Sequence, residues 1–424
     1  MVKRISMAVQ HVASASAKYM VVVLLSLLVG LLVVNVQRFS GIQANPLSGV
    51  STVTKLRPPT DFDVFYLVAQ MVWRGEIIQA YSFATMGPLQ EALSGEKVFM
   101  PWTYPPQFNL IVAALAFLPL GTAYTLFTAI TLVAYLAMLK AVAGRHFTLL
   151  LFLLFPAITV TMVCGQNGFL TGTLIGLTCL GLQRRSALAG LPLGLMIIKP
   201  HLAVAFAVYT LLSRSWGAAT VAAATILATS ALATLLLGPE IWAALLAGVQ
   251  EAKGYLEQGL YPLYRMVSPY AVLRSFGAPS FAGMVAQLVS AVFSLVVVFL
   301  AWRRGFPVRR TLGLAAVASL LVSPYAYDYD LPIYGIGLAL LMPDILRLGR
   351  PLEQALVFGL SFATGGFGLL LSQLKLTLTT EDMYLSVAGL TLAATLGLLW
   401  RIVNRDRPDA SLHEPAAFAK QAAR

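Results

Sequence analysis

Residues 19–36 read YMVVVLLSLLVGLLVVNV, a run without a single charged side chain. A helix of this length spans about 27 Å, close to the roughly 30 Å hydrocarbon thickness of a bilayer. Lys3, Arg4 and Lys18 precede the run, and no small-residue cleavage site clearly follows it. We therefore interpret it as a retained first membrane span rather than a cleaved signal peptide.

The rest of the chain repeats this apolar character. Of the 424 residues, 58% are hydrophobic and only 11% are charged, against roughly 25% charged in soluble domains. Backbone amides within a bilayer must be hydrogen-bonded internally, so we predict an all-α polytopic membrane protein with about twelve transmembrane helices. After the first span, the apolar segments are residues 122–142, 147–163, 168–183, 186–198, 202–213, 217–237, 281–301, 311–322, 331–346, 352–372 and 385–403. The short segment 107–118 is expected to lie as a half-helix in the interface.

The distribution of charge predicts the orientation. With the N-terminus in the cytoplasm, alternation places most of the 29 Lys and Arg inside and most of the 17 carboxylates outside, as the positive-inside rule requires. This arrangement predicts a multi-pass protein of a bacterial inner membrane with both termini cytoplasmic. The net charge of +12 then reflects membrane topology and does not indicate nucleic-acid binding.

The same topology predicts the domain organisation. Residues 1–403 form one membrane domain, and residues 404–424 form a polar cytoplasmic tail. Two long periplasmic loops cover residues 37–121 and 238–280. The amphipathic stretch from Phe65 to Trp73 in the first loop is suited to lying on the membrane surface.

Five polar clusters fall on the periplasmic side in this topology. Ionisable residues at membrane depth are energetically expensive and are candidates for function. The candidates are Asp61 and Asp63 in the first loop, Tyr104 in Tyr104-Pro105-Pro106, Gln166 and Asn167 in Gly165-Gln166-Asn167-Gly168, Lys199 and His201 around Pro200, and Tyr327, Asp328 and Asp330 after Ser323-Pro324.

The acids of the first loop have two interpretations. Transfer of a sugar to an alcohol needs a general base, and Asp61 in a partly dehydrated site is suited to that role. Asp63 is a possible second acid. Alternatively, an Asp before an amphipathic stretch is a common helix N-cap.

Lys199 and His201 are candidates for binding a phosphate. A cation at the lipid–water boundary could neutralise the phosphate of a lipid carrier as it leaves, and His201 could donate a second hydrogen bond. The alternatives are a lysine that reaches for lipid headgroups at a helix end and a structural histidine.

The remaining polar clusters are candidates for binding a sugar or an acceptor. Asn-Gly is also a strong turn signal, so the Gln166 and Asn167 segment could be only a turn. Asp328 and Asp330 could bind sugar hydroxyls beside Tyr327, or these residues could belong to an interfacial tyrosine belt.

Motifs of soluble enzymes and of metal sites are missing from the sequence. It has no glycine-rich phosphate loop, no nucleophile elbow and no metal-ligand spacing. Cys164 and Cys179 lie in or beside apolar segments and form no disulfide or zinc framework. We therefore expect no metal site and no required cofactor, although a divalent metal is not excluded.

Taken in order, these clusters resemble one family. An acid-aromatic segment, Tyr-Pro-Pro, Gly-Gln-Asn-Gly, Ile-Lys-Pro and Ser-Pro-Tyr ending in acids is similar to the pattern of glycosyltransferase family 87. That family includes polyprenyl-phosphate-mannose-dependent α-mannosyltransferases of the bacterial envelope. The resemblance covers residues 61 to 331. It implies a GT-C-type helical bundle, inversion by direct displacement, Asp61 as the catalytic base and Lys199 at the donor phosphate.

The chain departs from that pattern at one place. Mannosyltransferase-like members tend to carry histidine in the segment after Ser-Pro, where this sequence has Asp328-Tyr329-Asp330. The difference would fit another hexose, a pentose or a different acceptor.

The expected function is therefore transfer of a hexose, with mannose favoured. The donor would be a polyprenyl-phosphate-linked sugar and the acceptor a periplasmic glycolipid or glycan. Membrane lipids would surround the protein. A transporter or lipid-carrier flippase is the first alternative, since it would also explain many spans with polar breaks. A scaffold protein of an envelope complex is the second.

Overall fold

The computed structural model describes residues 2–39, 42–44, 51–53, 59–95, 97–377 and 385–406, and these residues are almost entirely helical. The elements of the first 164 residues are α1 (Val2–Arg38), β1 (Ile42–Ala44), β2 (Ser51–Val53), α2 (Asp61–Arg74), α3 (Phe83–Ser94), α4 (Pro106–Ala113), α5 (Leu120–Ala143), α6 (Phe147–Leu153) and α7 (Phe155–Cys164). The two strands pair antiparallel, with Ile42 opposite Val53.

The second part of the chain continues as helices joined by short turns. They are α8 (Gly168–Gln183), α9 (Gly190–Leu195), α10 (Val204–Leu212), α11 (Trp216–Leu237), α12 (Glu240–Gln258), α13 (Pro269–Ser275), α14 (Ser280–Arg303), α15 (Val308–Val322), α16 (Pro332–Leu348), α17 (Pro351–Thr377) and α18 (Ala388–Val403). Residues 407–424 of the predicted tail lie outside the described residues.

Five helical segments of the described chain are long and apolar enough to cross a membrane. They are Lys18–Arg38, Leu120–Leu153, Trp216–Leu237, Ser280–Arg303 and Pro351–Leu371. The prediction of a helical membrane protein is therefore confirmed. The count of twelve crossings and the sidedness of the loops stay predictions.

Several other predicted spans are shorter or broken helices. The segment 147–163 divides into α6 and α7 at Leu154, just before Pro156, whose missing N–H interrupts the helical ladder. The segment 187–198 consists of a 3-10 turn, α9 and a second 3-10 turn. Helices that end within the bundle place the polar residues that follow them inside the protein.

Helix α2 does not lie on a membrane surface, so that prediction is wrong. Residues 62–71 are all buried, because the aromatic face of α2 packs against the segment that precedes α4 and against α4 itself. The Phe65 ring lies 5.1 Å from Phe108 and 5.7 Å from Tyr104, centroid to centroid. The start of α2 is thereby fixed in the protein interior.

Charged residues cluster at one end of the α15–α16 hairpin. The buried carboxylate of Asp344 pairs with Arg309 at 2.5 Å and with Arg310 at 3.0 Å. Arg310 also pairs with Asp406 at 2.6 Å, which holds residues after α18 against this end. The turn that joins the two helices, residues 323–331, is at the opposite end, about 22 Å away along α15.

Candidate active site

A cavity of about 420 Å³ lies beside the turn between α15 and α16. Its size is typical of small-molecule sites, which measure roughly 300–1,000 Å³. The lining side chains come from six parts of the chain: Asp61, Val64 and Phe65; residues 99–105; Gln166; residues 198–201; Leu245, Val249 and Ala252 with Tyr261, Pro262 and Arg265; and Tyr325, Tyr327 and Tyr329.

The structure separates the two acids of the first loop. Asp61 is the first residue of α2 and lines the cavity. Asp63 is buried and makes the helix cap, because its Oδ2 accepts a hydrogen bond from the Thr60 backbone N–H at 2.7 Å. Asp63 does not line the cavity. The capping interpretation therefore applies to Asp63 and leaves the Asp61 carboxylate available for chemistry.

A hydrogen-bond chain orients the Asp61 carboxylate. Tyr104 Oη donates to Gln166 Oε1 at 3.0 Å, and Gln166 Nε2 donates to Asp61 Oδ1 at 3.2 Å. The backbone carbonyl of Tyr104 accepts a hydrogen bond from Tyr81 Oη at 2.8 Å, which fixes this segment in turn. Two of the predicted binding residues, Tyr104 and Gln166, thus meet Asp61 at the cavity wall.

The glycines around Gln166 explain why this turn is so compact. Gly165 ends α7 with φ +64°, a left-handed conformation that favours glycine. A Cβ on Gly168 would lie 1.7 Å from the backbone oxygen of Tyr329, so only glycine permits this close approach. Asn167 between them is fully buried and is not part of the cavity lining. The segment is therefore both a turn and part of the site.

Lys199 points into the protein rather than toward lipid headgroups. Its side chain is 7% exposed and its Nζ donates to Asp330 Oδ1 at 2.6 Å. Burial acts to lower the pKa of Lys199, but Asp330 and Tyr104 raise it, and the net pKa lies above its ordinary value. Lys199 is thus a cation in the cavity wall at neutral pH.

Arg265 is a second cation in the wall, and the sequence analysis did not identify it. Nε and Nη2 donate to the two Asp328 oxygens at 3.2 and 3.1 Å, and Nη2 also reaches Cys164 Sγ at 3.0 Å. Nη1 lies 3.6 Å from Asp61 Oδ2. Burial acts to lower the pKa of Arg265, but Asp328 and its other neighbours raise it well above its ordinary value.

Backbone pairing brings Arg265 to this position. Met266 forms a β-bridge with Tyr327, and the Val267 N–H donates to the Ala326 carbonyl at 2.9 Å. The second long loop is thereby joined to the α15–α16 turn. In the sequence, Arg265 is an isolated cation on the predicted periplasmic side, near Tyr261 and Tyr264. It belongs to no recognisable motif, so the sequence alone gave little reason to select it.

Asp328 and Asp330 occupy positions different from those expected for sugar ligands. Both are buried behind the two cations, and neither lines the cavity. The tyrosines between and before them do line it, and the rings of Tyr327 and Tyr329 stack at 5.1 Å with an interplanar angle of 8°. The acids hold the cations, and the tyrosines supply the surface that a sugar could contact.

His201 lines the cavity as a neutral imidazole. Burial lowers the pKa of His201 from 6.5 to about 4. The charge of Lys199 also lowers this pKa, whereas that of Asp330 raises it. Its Nε2 has no hydrogen-bond partner among the residues that the structure describes. His201 can therefore offer one N–H to a phosphate but adds no positive charge at neutral pH.

The depressed pKa of His201 predicts a pH dependence of stability. Between pH 6.5 and 4 the unfolded chain binds a proton at His201 that the folded protein does not, so stability falls as pH is lowered through this window. We expect the apparent Tm in detergent to fall further between pH 7 and pH 5 in the wild type than in His201→Gln. Equal losses in the two proteins would contradict the assignment of a neutral imidazole in the cavity wall.

No metal-type cluster is present in the described part of the chain, where no three His, Cys, Asp or Glu side chains converge. The two carboxylates that face each other here, Asp61 and Asp328, have the Arg265 guanidinium between them. The positively charged side chain of Arg265 thus fills the space between these two acids.

The fold and the cavity define a helical membrane protein with a charged, aromatic-lined site for a polar ligand. The sequence model of glycosyltransferase family 87 matches residues 102–324, more than half of the chain. The protein belongs to glycosyltransferase family 87 and is a membrane glycosyltransferase. No curated protein and no solved structure matches it.

The matched range covers some of the candidate residues and not others. It includes Tyr104, Gln166, Lys199 and Arg265. Asp61 precedes it, and the Asp328–Asp330 segment follows it. The family resemblance is therefore confirmed, while the roles of the individual side chains are supported by geometry alone.

Proposed function

We propose that the protein transfers a hexose, with mannose favoured, from a polyprenyl-phosphate carrier to a periplasmic glycolipid or glycan. The observation that carries this proposal is the single cavity that joins the carboxylate of Asp61 to the cations Lys199 and Arg265. A carboxylate opposite cations matches a reaction that removes a proton from one substrate and leaves negative charge on the other.

The reaction is an inverting displacement at the anomeric carbon. Asp61 accepts the proton of the acceptor hydroxyl, whose oxygen forms the new bond to C1. The C1–O bond to phosphate breaks, and its electron pair goes to the departing phosphate oxygen beside Lys199. Gln166 holds Asp61 in position by its hydrogen bond to Oδ1 at 3.2 Å.

The aromatic wall supports a carbohydrate as the transferred group. Tyr327 and Tyr329 form a stacked pair on the cavity wall, and Tyr261 and Tyr325 line it beside them. Such rings present flat apolar faces together with hydroxyls, which suits the mixed character of a sugar. The proposed orientation places this wall on the periplasmic side of the inner membrane, where a flipped carrier would arrive.

The donor can be identified with purified protein in lipid. Radiolabelled polyprenyl-phosphate mannose, glucose and arabinose are each incubated with protein and a membrane-lipid extract, and transfer is followed by extraction. We expect label from one donor, with mannose favoured, to move to the acceptor fraction. A folded protein that consumes none of the three carriers would exclude this class of donor.

A further inference from the structure

We infer that Arg265 is a further catalytic residue, whose guanidinium faces Asp61 before the donor binds and turns to the donor phosphate when it arrives. This inference rests on the proposed function. It adds a second phosphate ligand and an order of events: the donor binds first, and its phosphate then makes Asp61 available to the acceptor.

One edge of the guanidinium is anchored and the other is open. Nε and Nη2 are engaged by Asp328, which lies behind the cavity wall. In the described part of the chain, the polar neighbour of Nη1 is Asp61 Oδ2 at 3.6 Å. That distance is longer than a normal hydrogen bond, so Nη1 keeps donor capacity on the cavity side.

Arg265 and Lys199 lie against the same aromatic ring. The Tyr329 ring centroid is 4.7 Å from Lys199 Nζ and 5.4 Å from Arg265 Cζ. Each cation has its own carboxylate, Asp330 or Asp328, on the side away from the cavity. The two carboxylates balance the charge from the side away from the cavity, and the two cations face the space that the ligand would occupy.

Two cations match the charge that the reaction develops. A sugar–phosphate–prenyl diester carries one negative charge, and the prenyl monophosphate that leaves carries about two near neutral pH. Stabilisation is greatest for donors aimed at the place where charge appears. Arginine binds phosphate through planar N–H pairs, so the open edge of Arg265 is suited to the second charge.

The same open edge controls access to the base. Asp61 Oδ1 is held by a hydrogen bond from Gln166, which favours Oδ2 as the oxygen that receives the proton of the acceptor hydroxyl. Oδ2 is also the oxygen that faces Arg265. A phosphate that draws Nη1 toward itself leaves Oδ2 free to receive the proton. Arg265 stays protonated throughout.

The experiment measures binding of farnesyl phosphate and farnesol to full-length protein in detergent. In Arg265→Gln we expect the preference for the phosphate over the alcohol to fall roughly 10-fold or more, because a charge-assisted hydrogen bond is lost. Farnesol binding should not change, whereas damage to the fold would weaken both ligands. Arg274→Gln is the matched control, since Arg274 bonds to the carbonyls of Ala278 and Glu257 away from the cavity.

A double-mutant cycle tests the competition between Asp61 and the phosphate for Arg265. Asp61→Asn should bind farnesyl phosphate several-fold more tightly than the wild type, and this gain should disappear in the Arg265→Gln background. If Arg265→Gln does not fold, the double variant Arg265→Gln/Asp328→Asn takes its place in the cycle. The second substitution removes the buried charge of Asp328, which the first leaves unpaired.

The outcomes distinguish this inference from the proposed function. An unchanged phosphate preference in a folded Arg265 variant, or an equal gain from Asp61→Asn in both backgrounds, overturns the role of Arg265 and leaves the donor class intact. A wild-type protein that does not distinguish farnesyl phosphate from farnesol overturns both the inference and the proposed donor.

Discussion

Asp61→Asn is expected to lower the turnover number by roughly 10²–10⁴-fold, because the amide cannot take the acceptor proton. The substitution keeps the size of the side chain and the hydrogen bond that Gln166 makes to Oδ1. Insertion and thermal stability should therefore stay close to those of the wild type. Initial rates with saturating donor and acceptor, normalised to folded protein, measure the effect.

Asp63→Asn is the matched control two residues along the same helix. It weakens the cap at Thr60 and is expected to cost about 1 kcal/mol of stability. Because Asp63 lies outside the cavity lining, turnover by the folded fraction should change little. If Asp61→Asn retained normal turnover, or if Asp63→Asn abolished it, the assignment of the base would be wrong.

Lys199→Met is expected to destabilise the protein by about 3–5 kcal/mol, because it leaves the buried Asp330 carboxylate unpaired. The second substitution Asp330→Asn should restore most of that loss. The asparagine is neutral, and it can still accept the hydrogen bond that the Tyr327 N–H donates to Asp330 Oδ2 at 3.1 Å. Thermal unfolding in detergent compares the three proteins.

Activity should not return with stability in the double variant. The restored fold lacks the cation at the departing phosphate, so turnover should stay low while the cavity remains formed. If the double variant transferred sugar at the wild-type rate, Lys199 would have only a structural role. If Lys199→Met were as stable as the wild type, the Lys199–Asp330 ion pair would contribute nothing to the stability of the protein.

The sequence was sufficient to predict the class of fold, the family and several residues of the cavity. Long uncharged runs leave a chain little alternative to membrane-spanning helices. The segments around Asp61, Gln166 and Lys199 were recognisable because polar residues interrupt apolar runs there. Each of these side chains does lie at the cavity wall.

Roles that depend on contacts between distant segments could not be predicted. The Thr60-x-x-Asp63 spacing is a capping-box pattern, which was the available signal that Asp63 caps the helix, but no pattern indicates that Asp61 faces the cavity. The place of Arg265 in the cavity wall depends on the Met266–Tyr327 bridge, which brings it to Asp328. Likewise, the sequence indicates Asp328 and Asp330 as ligands for a sugar. The structure shows instead that they pair with Arg265 and Lys199, which lie between them and the cavity.

The Asp328-Tyr329-Asp330 turn also has a consequence for biosynthesis. Chains are made from the N-terminus, so Lys199 and Arg265 emerge from the ribosome before their carboxylate partners Asp330 and Asp328 do. Until residue 330 has been synthesised, the two cations have no counter-ions from this turn. The proposed active site can therefore assemble only after α15 and the turn that follows it have been delivered to the membrane.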